Sequence, residues 1–145
     1  AFRSAFADKI IRTTNSRNLR IVRYILCALE RQLNNTDHDF ESDTFNVEHV
    51  LPQNPGEGWP AFSDEEVEAM AYRIGGMALM AEGASEDIGK AAFAVKKPGW
   101  AASGFELTRK VAEDNADWTP ERIAARQKTL ARLASTVWRV AQLSD

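Results

Sequence analysis

The sequence predicts a mainly α (α+β) domain, a helical frame carrying one two-stranded antiparallel hairpin near its middle. Three observations predict it. Apolar residues recur at helical spacing over two long stretches, residues 18–33 and 119–141. One segment, residues 44–51, alternates cleanly in the manner of a half-buried strand. A short apolar run with a glycine pair, residues 73–80, follows after a long loop and supplies a second strand. The chain has 145 residues, 44% hydrophobic and 27% charged. That is one domain, residues 1–145, and it excludes wholesale disorder.

The elements follow in order. A short helix is expected around Phe2–Arg12. In the next helix Val22, Ile25, Leu26, Leu29 and Leu33 share a face, and Arg17, Arg20, Arg23 and Arg31 lie largely off it. Asn34-Asn35-Thr36-Asp37 reads as a loop. In the strand, Phe45, Val47 and His49 take one side and Asn46, Glu48 and Val50 the other, until Pro52 stops it. Ser63-Asp64-Glu65-Glu66 has the form of a capping box, opening a helix to about Tyr72. Arg73–Met80 turns into the second strand. Ser85-Glu86-Asp87 opens a helix to about Val95, ended by Pro98-Gly99, and Phe105–Glu113 forms another. The last helix has Thr119 as N-cap, Pro120 at its first position, and a stripe of Ile123, Leu130, Ala134, Val137, Trp138 and Ala141. Trp59, Trp100, Trp118 and Trp138 are expected to pack in the core or between subdomains, with Trp59 and Trp100, flanked by Gly and Pro, the more exposed.

Charge is segregated under a net value of -3. Residues 1–33 carry seven basic and two acidic residues, and residues 34–72 carry ten acids and no Lys or Arg. Residues 119–145 carry five basic and two acidic residues. Such a chain can present a basic face despite its acidic total. No run of about 18 apolar residues occurs, so no membrane span is expected. Cys27 has no cysteine to pair with, and His38 and His49 alone cannot complete a thiolate zinc site. A reducing compartment, the cytoplasm, is the expectation. The opening residues Ala1-Phe2-Arg3-Ser4 resemble neither a start methionine nor a signal peptide, which points to a piece of a longer protein.

Chemistry concentrates in Val47-Glu48-His49-Val50-Leu51-Pro52. A neutral histidine can activate water near neutral pH, and a carboxylate is a hard oxygen ligand for a divalent ion. Phosphate contacts would come from Arg73, Lys90, Lys96 and Lys97, which surround or follow the second strand.

Glu48-His49-Val50-Leu51-Pro52-Gln53, then Arg73-Ile74-Gly75-Gly76-Met77-Ala78-Leu79-Met80, then Phe93 and Lys96, resemble an HNH (ββα-metal) nuclease. The set is most similar to the C-terminal nuclease domain of GmrSD/SspE-type phage-defence restriction enzymes. Arg23-Tyr24-Ile25-Leu26, Ser103 and Trp118-Thr119-Pro120-Glu121-Arg122-Ile123 with Arg126 extend the likeness along nearly the whole chain. The resemblance implies a Mg2+- or Mn2+-dependent DNA endonuclease, with His49 as general base and Glu48 at the metal. It also implies an upstream NTP-binding domain in the same protein. Two family asparagines are replaced: Gly76 stands where one would orient the histidine, and Ser85 where another would complete the metal site. Ser85 and Asp87 are then the further candidate ligands. The replacements leave two alternatives open: a degenerate HNH domain that binds DNA or regulates an attached domain without cutting, and a helical interaction module with no nucleic-acid role.

Overall fold

The computed structural model describes residues 6–7, 9–53, 55, 58–82 and 92–143, with side chains as far as Trp138. Among them are five α-helices and one two-stranded antiparallel sheet, the mainly α (α+β) class that the periodicities predict. Helix α1 spans Ser16–Asn34. Asn15 caps it by accepting from the Asn18 N–H at 2.8 Å, and Asn35 ends it in the left-handed conformation at φ 53°. Its buried face is Val22, Leu26, Cys27, Leu29 and Glu30; of the expected stripe, Ile25 is half-buried and Leu33, in the last turn, is exposed.

Strand β1 (Phe45–His49) pairs with β2 (Met77–Ala81), from Phe45 opposite Ala81 to His49 opposite Met77. The ladder continues one bond further at the His49 end, where the Val50 N–H donates to the Gly76 carbonyl at 2.8 Å. Met77–Met80 are all buried, so β2 does not alternate. It is covered on both sides: Met77 and Leu79 join Val22, Leu26 and Phe105, while Met80 joins Trp59, Phe93 and Trp100. Between the strands lies α2 (Asp64–Met70), which opens with both bonds of the Ser63–Glu66 capping box. A 3-10 turn over Ile74–Gly76 leads into β2.

Helices α3 (Phe93–Ala101), α4 (Glu106–Glu113) and α5 (Pro120–Leu143) complete the frame. The Arg122 N–H donates to Thr119 Oγ1 at 3.2 Å, the cap expected of α5. Two buried side chains tie the frame together. Glu30 of α1 accepts from the Glu106 and Leu107 N–H groups at 2.7 and 2.9 Å, capping the first turn of α4 from another helix. Gln127 of α5 uses both ends of its amide. Its Nε2 donates to the Phe6 and Lys9 carbonyls, and its Oε1 accepts from Arg73 Nε and the Gly75 N–H, all at 2.9–3.0 Å.

Three expectations are corrected. The segment up to Arg12 is not helical at its described end: Ile10 bridges Arg73 in antiparallel fashion and the Ile11 N–H donates to the Tyr72 carbonyl at 2.9 Å. Ile10 is exposed and Ile11 buried, the alternation of an extended strand seated on a partner. Pro98-Gly99 does not end a helix but lies inside α3. The helix runs on past the proline because Trp100, wholly buried, anchors the next turn in the core. Trp59 and Trp100 are therefore core residues, at 5% and 0% exposure.

Candidate active site

His49 closes β1, where the strand gives way to the Val50–Pro52 bend. Two of its neighbours come from separate stretches of chain. Its Nε2 lies 2.9 Å from Thr13 Oγ1, in the loop before α1. The Tyr72 ring packs edge-on, its centroid 6.1 Å from that of the imidazole. Tyr72 in turn donates its hydroxyl hydrogen to Gln53 Oε1 at 3.1 Å, and the Arg12 guanidinium lies 5.2 Å from the Tyr72 ring centroid. Arg12 is exposed.

Burial pushes the His49 pKa below the ordinary histidine value; the adjacent Glu48 charge opposes that shift and Lys96 reinforces it. The ring is therefore neutral at pH 7, with one nitrogen carrying the proton and the other a lone pair. The Thr13 hydroxyl fixes the geometry at Nε2. A side chain at Gly76 would begin elsewhere: a Cβ there would lie 3.7 Å from the Ile123 side chain, on the side of α5. Thr13, and not the residue at position 76, is what the structure places in hydrogen-bonding contact with the imidazole. Sequence reasoning missed it. Thr13 is 36 residues from His49, and Thr13-Thr14-Asn15-Ser16 reads simply as the approach to a helix cap.

Glu48 faces the other side of the strand and is buried. Its Oε1 accepts from Lys96 Nζ of α3 at 2.9 Å, and the same ammonium lies 5.9 Å from the Trp59 ring centroid. Lys96 is 1% exposed, so its charge addresses Glu48 rather than solvent. Removing one member of so deeply buried a pair costs about 3–5 kcal/mol, because the other is left desolvated and alone. Arg73 is also turned inward: its Nε donates to Gln127 and its Nη2 to the Ala7 carbonyl at 2.8 Å. Lys97 is half-buried on α3. Ser85, Asp87 and Lys90 lie outside the described residues.

No three His, Cys, Asp or Glu side chains converge to hold a metal ion among the described residues. Glu48 is the one candidate ligand described, and its charge is already matched by Lys96. The described part of the site thus does not by itself make a divalent-ion centre. No described helix is long and apolar enough to cross a membrane.

A family model described as GmrSD restriction endonucleases, C-terminal domain, matches residues 1–133. No curated protein matches the chain.

Proposed function

The chain belongs to the family of GmrSD restriction endonuclease C-terminal domains, and on that premise we propose that it hydrolyses phosphodiester bonds in DNA with His49 as the general base. The observation that carries this reading is the His49 environment: a neutral imidazole at a strand end, clamped at Nε2 by Thr13, with an exposed arginine two ring contacts away. With Nε2 held, Nδ1 is the nitrogen presented to water. It takes a proton as the water oxygen bonds to phosphorus, and the ester P–O bond breaks to release an alcohol. The leaving oxygen collects its proton from solvent.

Arg12, exposed and set over the Tyr72 ring that packs on His49, is a candidate to bind backbone phosphate, with Lys97 and Lys90 as further candidates. Arg73 and Lys96 make internal bonds, so their part in DNA binding is to shape the site rather than to grip phosphate. Mg2+ or Mn2+ is the cofactor of this reading, with Glu48, Ser85 and Asp87 as its ligands. An upstream NTP-binding domain in the same cytoplasmic protein would select phage or modified DNA.

The test is plasmid nicking with Mg2+, Mn2+ or no metal, comparing the native chain with His49→Ala. Cutting by the native chain and loss of at least about a hundredfold in the variant is the expected result, in keeping with the usual contribution of a general base. Equal activity in both would overturn the role of His49. The Glu48–Lys96 pair favours a second reading, a degenerate domain that binds DNA without cutting. Its signature is salt-sensitive DNA retention with no nicking under any divalent ion.

A further inference from the structure

Arg122 and Arg126 lie one turn apart on α5, and with Lys110 of α4 they line a cavity of about 170 Å3. Leu107 and Leu130, both buried, form its apolar part. Asp114, just past the end of α4, is the one carboxylate among the described lining residues. None of the three cations forms an ion pair among the described residues. Arg126 is the anchored member. Its Nη1 donates to the Gly75 and Met77 carbonyls at 2.8 and 2.7 Å, which fixes the plane of the guanidinium. Its Nη2 is buried and bonds to nothing among the described residues. Burial lowers the Arg126 pKa to about 10, so the group is still charged at pH 7. A buried, charged donor without an acceptor is rare in a folded protein.

We propose that the cavity between α4 and α5 binds one phosphate group, held by the Arg126 guanidinium together with Lys110 and Arg122. Water there would supply hydrogen bonds but no opposing charge; a tetrahedral oxyanion supplies both. At about 30 Å3 per water the cavity has room for about five waters, enough for a single phosphate. Apolar walls beside unpaired cations also strengthen their field at the bound group. Arg126 gives the site its geometry. Lys110, half-buried, and Arg122, exposed, add charge, and Asp114 opposes the anion and limits its affinity. The ligand is a doubly charged tetrahedral oxyanion, free or carried at the end of a mononucleotide. Neither His49 nor Glu48 lines the cavity, so the site is independent of the proposed cutting.

The experiment titrates inorganic phosphate into the 145-residue chain at an ionic strength held constant with chloride. Calorimetry reads the dissociation constant, and the melting temperature is followed beside it. The native protein is compared with Lys110→Gln/Arg122→Gln, with Asp114→Asn, and with Lys128→Gln, which alters an exposed charge of α5 outside the cavity. Phosphate is expected to bind the native chain and to raise its melting temperature. The double variant should bind at least about tenfold more weakly, and Asp114→Asn about threefold more tightly, a gain that a damaged fold cannot imitate. Lys128→Gln should match the native chain. Arg126 also clasps the glycine turn, so it is read in place: its guanidinium N–H signals in isotope-labelled protein should shift as phosphate is added. No binding by about 20 mM phosphate overturns the proposal and leaves only water in the cavity. Unchanged Arg126 signals, no gain in Asp114→Asn, or a loss in Lys128→Gln equal to that of the double variant overturns it as well. Uridine and uridine 5′-monophosphate separate the sources. Tighter binding of the monophosphate than of phosphate, with none of uridine, assigns the group to a nucleotide end; weaker binding assigns it to free phosphate.

Discussion

At His49 the hydrogen-bonding partner is a hydroxyl from a distant loop, Thr13. Thr13→Val keeps the shape and removes the hydrogen bond to Nε2. A bond worth about 1.4 kcal/mol corresponds to about a tenfold loss of rate, and Thr13→Ser should restore most of it. On the proposed role of His49 as the base, steady-state nicking should show the loss in kcat more than in KM, since Thr13 contacts the imidazole. The pH profile is a second readout. Because burial lowers the His49 pKa, the acidic limb should fall below the ordinary histidine value. The same shift has a sign for stability. The unfolded chain binds more protons than the native one in that range, so the contribution of His49 is present above the ordinary value. It is lost as pH falls through the lowered one. A limb at or above the ordinary value would contradict the buried, neutral ring.

The turn before β2 shows why two adjacent glycines are not equivalent. A Cβ at Gly75 would stand 2.4 Å from the Ile123 carbonyl oxygen and 2.7 Å from Gln127 Cβ. Helix α5 thus seats directly on bare backbone, and Arg126 clasps the same turn by donating to the Gly75 and Met77 carbonyls at 2.8 and 2.7 Å. At Gly76 the nearest contact would be an ordinary 3.7 Å. Gly75→Ala should therefore destabilise by about 2–3 kcal/mol, through forced separation of α5 from the turn, and Gly76→Ala by less than about 1 kcal/mol. Urea unfolding of the two variants checks the difference; equal costs would mean that the close approach at Gly75 relaxes freely. This contact also ties the hairpin that bears His49 to the longest helix of the fold.

Across the whole molecule, the single amide of Gln127 joins the N-terminal segment, the Arg73 bridge and the glycine turn. Gln127→Leu fills the same space and leaves several buried polar partners unsatisfied, at about 1–3 kcal/mol each before relaxation. A fall in melting temperature of about 10 °C is expected, and no fall would show that water replaces the amide without loss. The same tertiary bonds explain where the sequence was legible and where it was not. Local signals held wherever one element determined its own ends. The Ser63–Glu66 box, the Thr119 cap and the Val22, Leu26 and Leu29 part of the stripe of α1 all depend on residues within a few positions of each other. They failed where a distant partner decided. Ile10 and Ile11 are extended because Tyr72 and Arg73 pair with them, and α3 passes Pro98 because Trp100 is held in the core.

The candidate site divides in the same way. The alternation over residues 44–51 and the apolar run 73–80 were enough to find the two strands, and the ordered set from Arg23 through Glu48–Gln53, Arg73–Met80, Phe93 and Lys96 to Arg126 suggested the family and singled out Glu48 and His49, because strand period and motif spacing are legible along the chain. What each side chain meets was decided only on folding. Thr13 reaches His49, Lys96 turns from an expected phosphate contact into the partner of Glu48, and Arg73 bonds inward to Gln127. The physical reason is that a buried polar group takes its partner from whatever the packing of distant elements brings within about 3 Å, and no periodicity in the chain encodes that meeting.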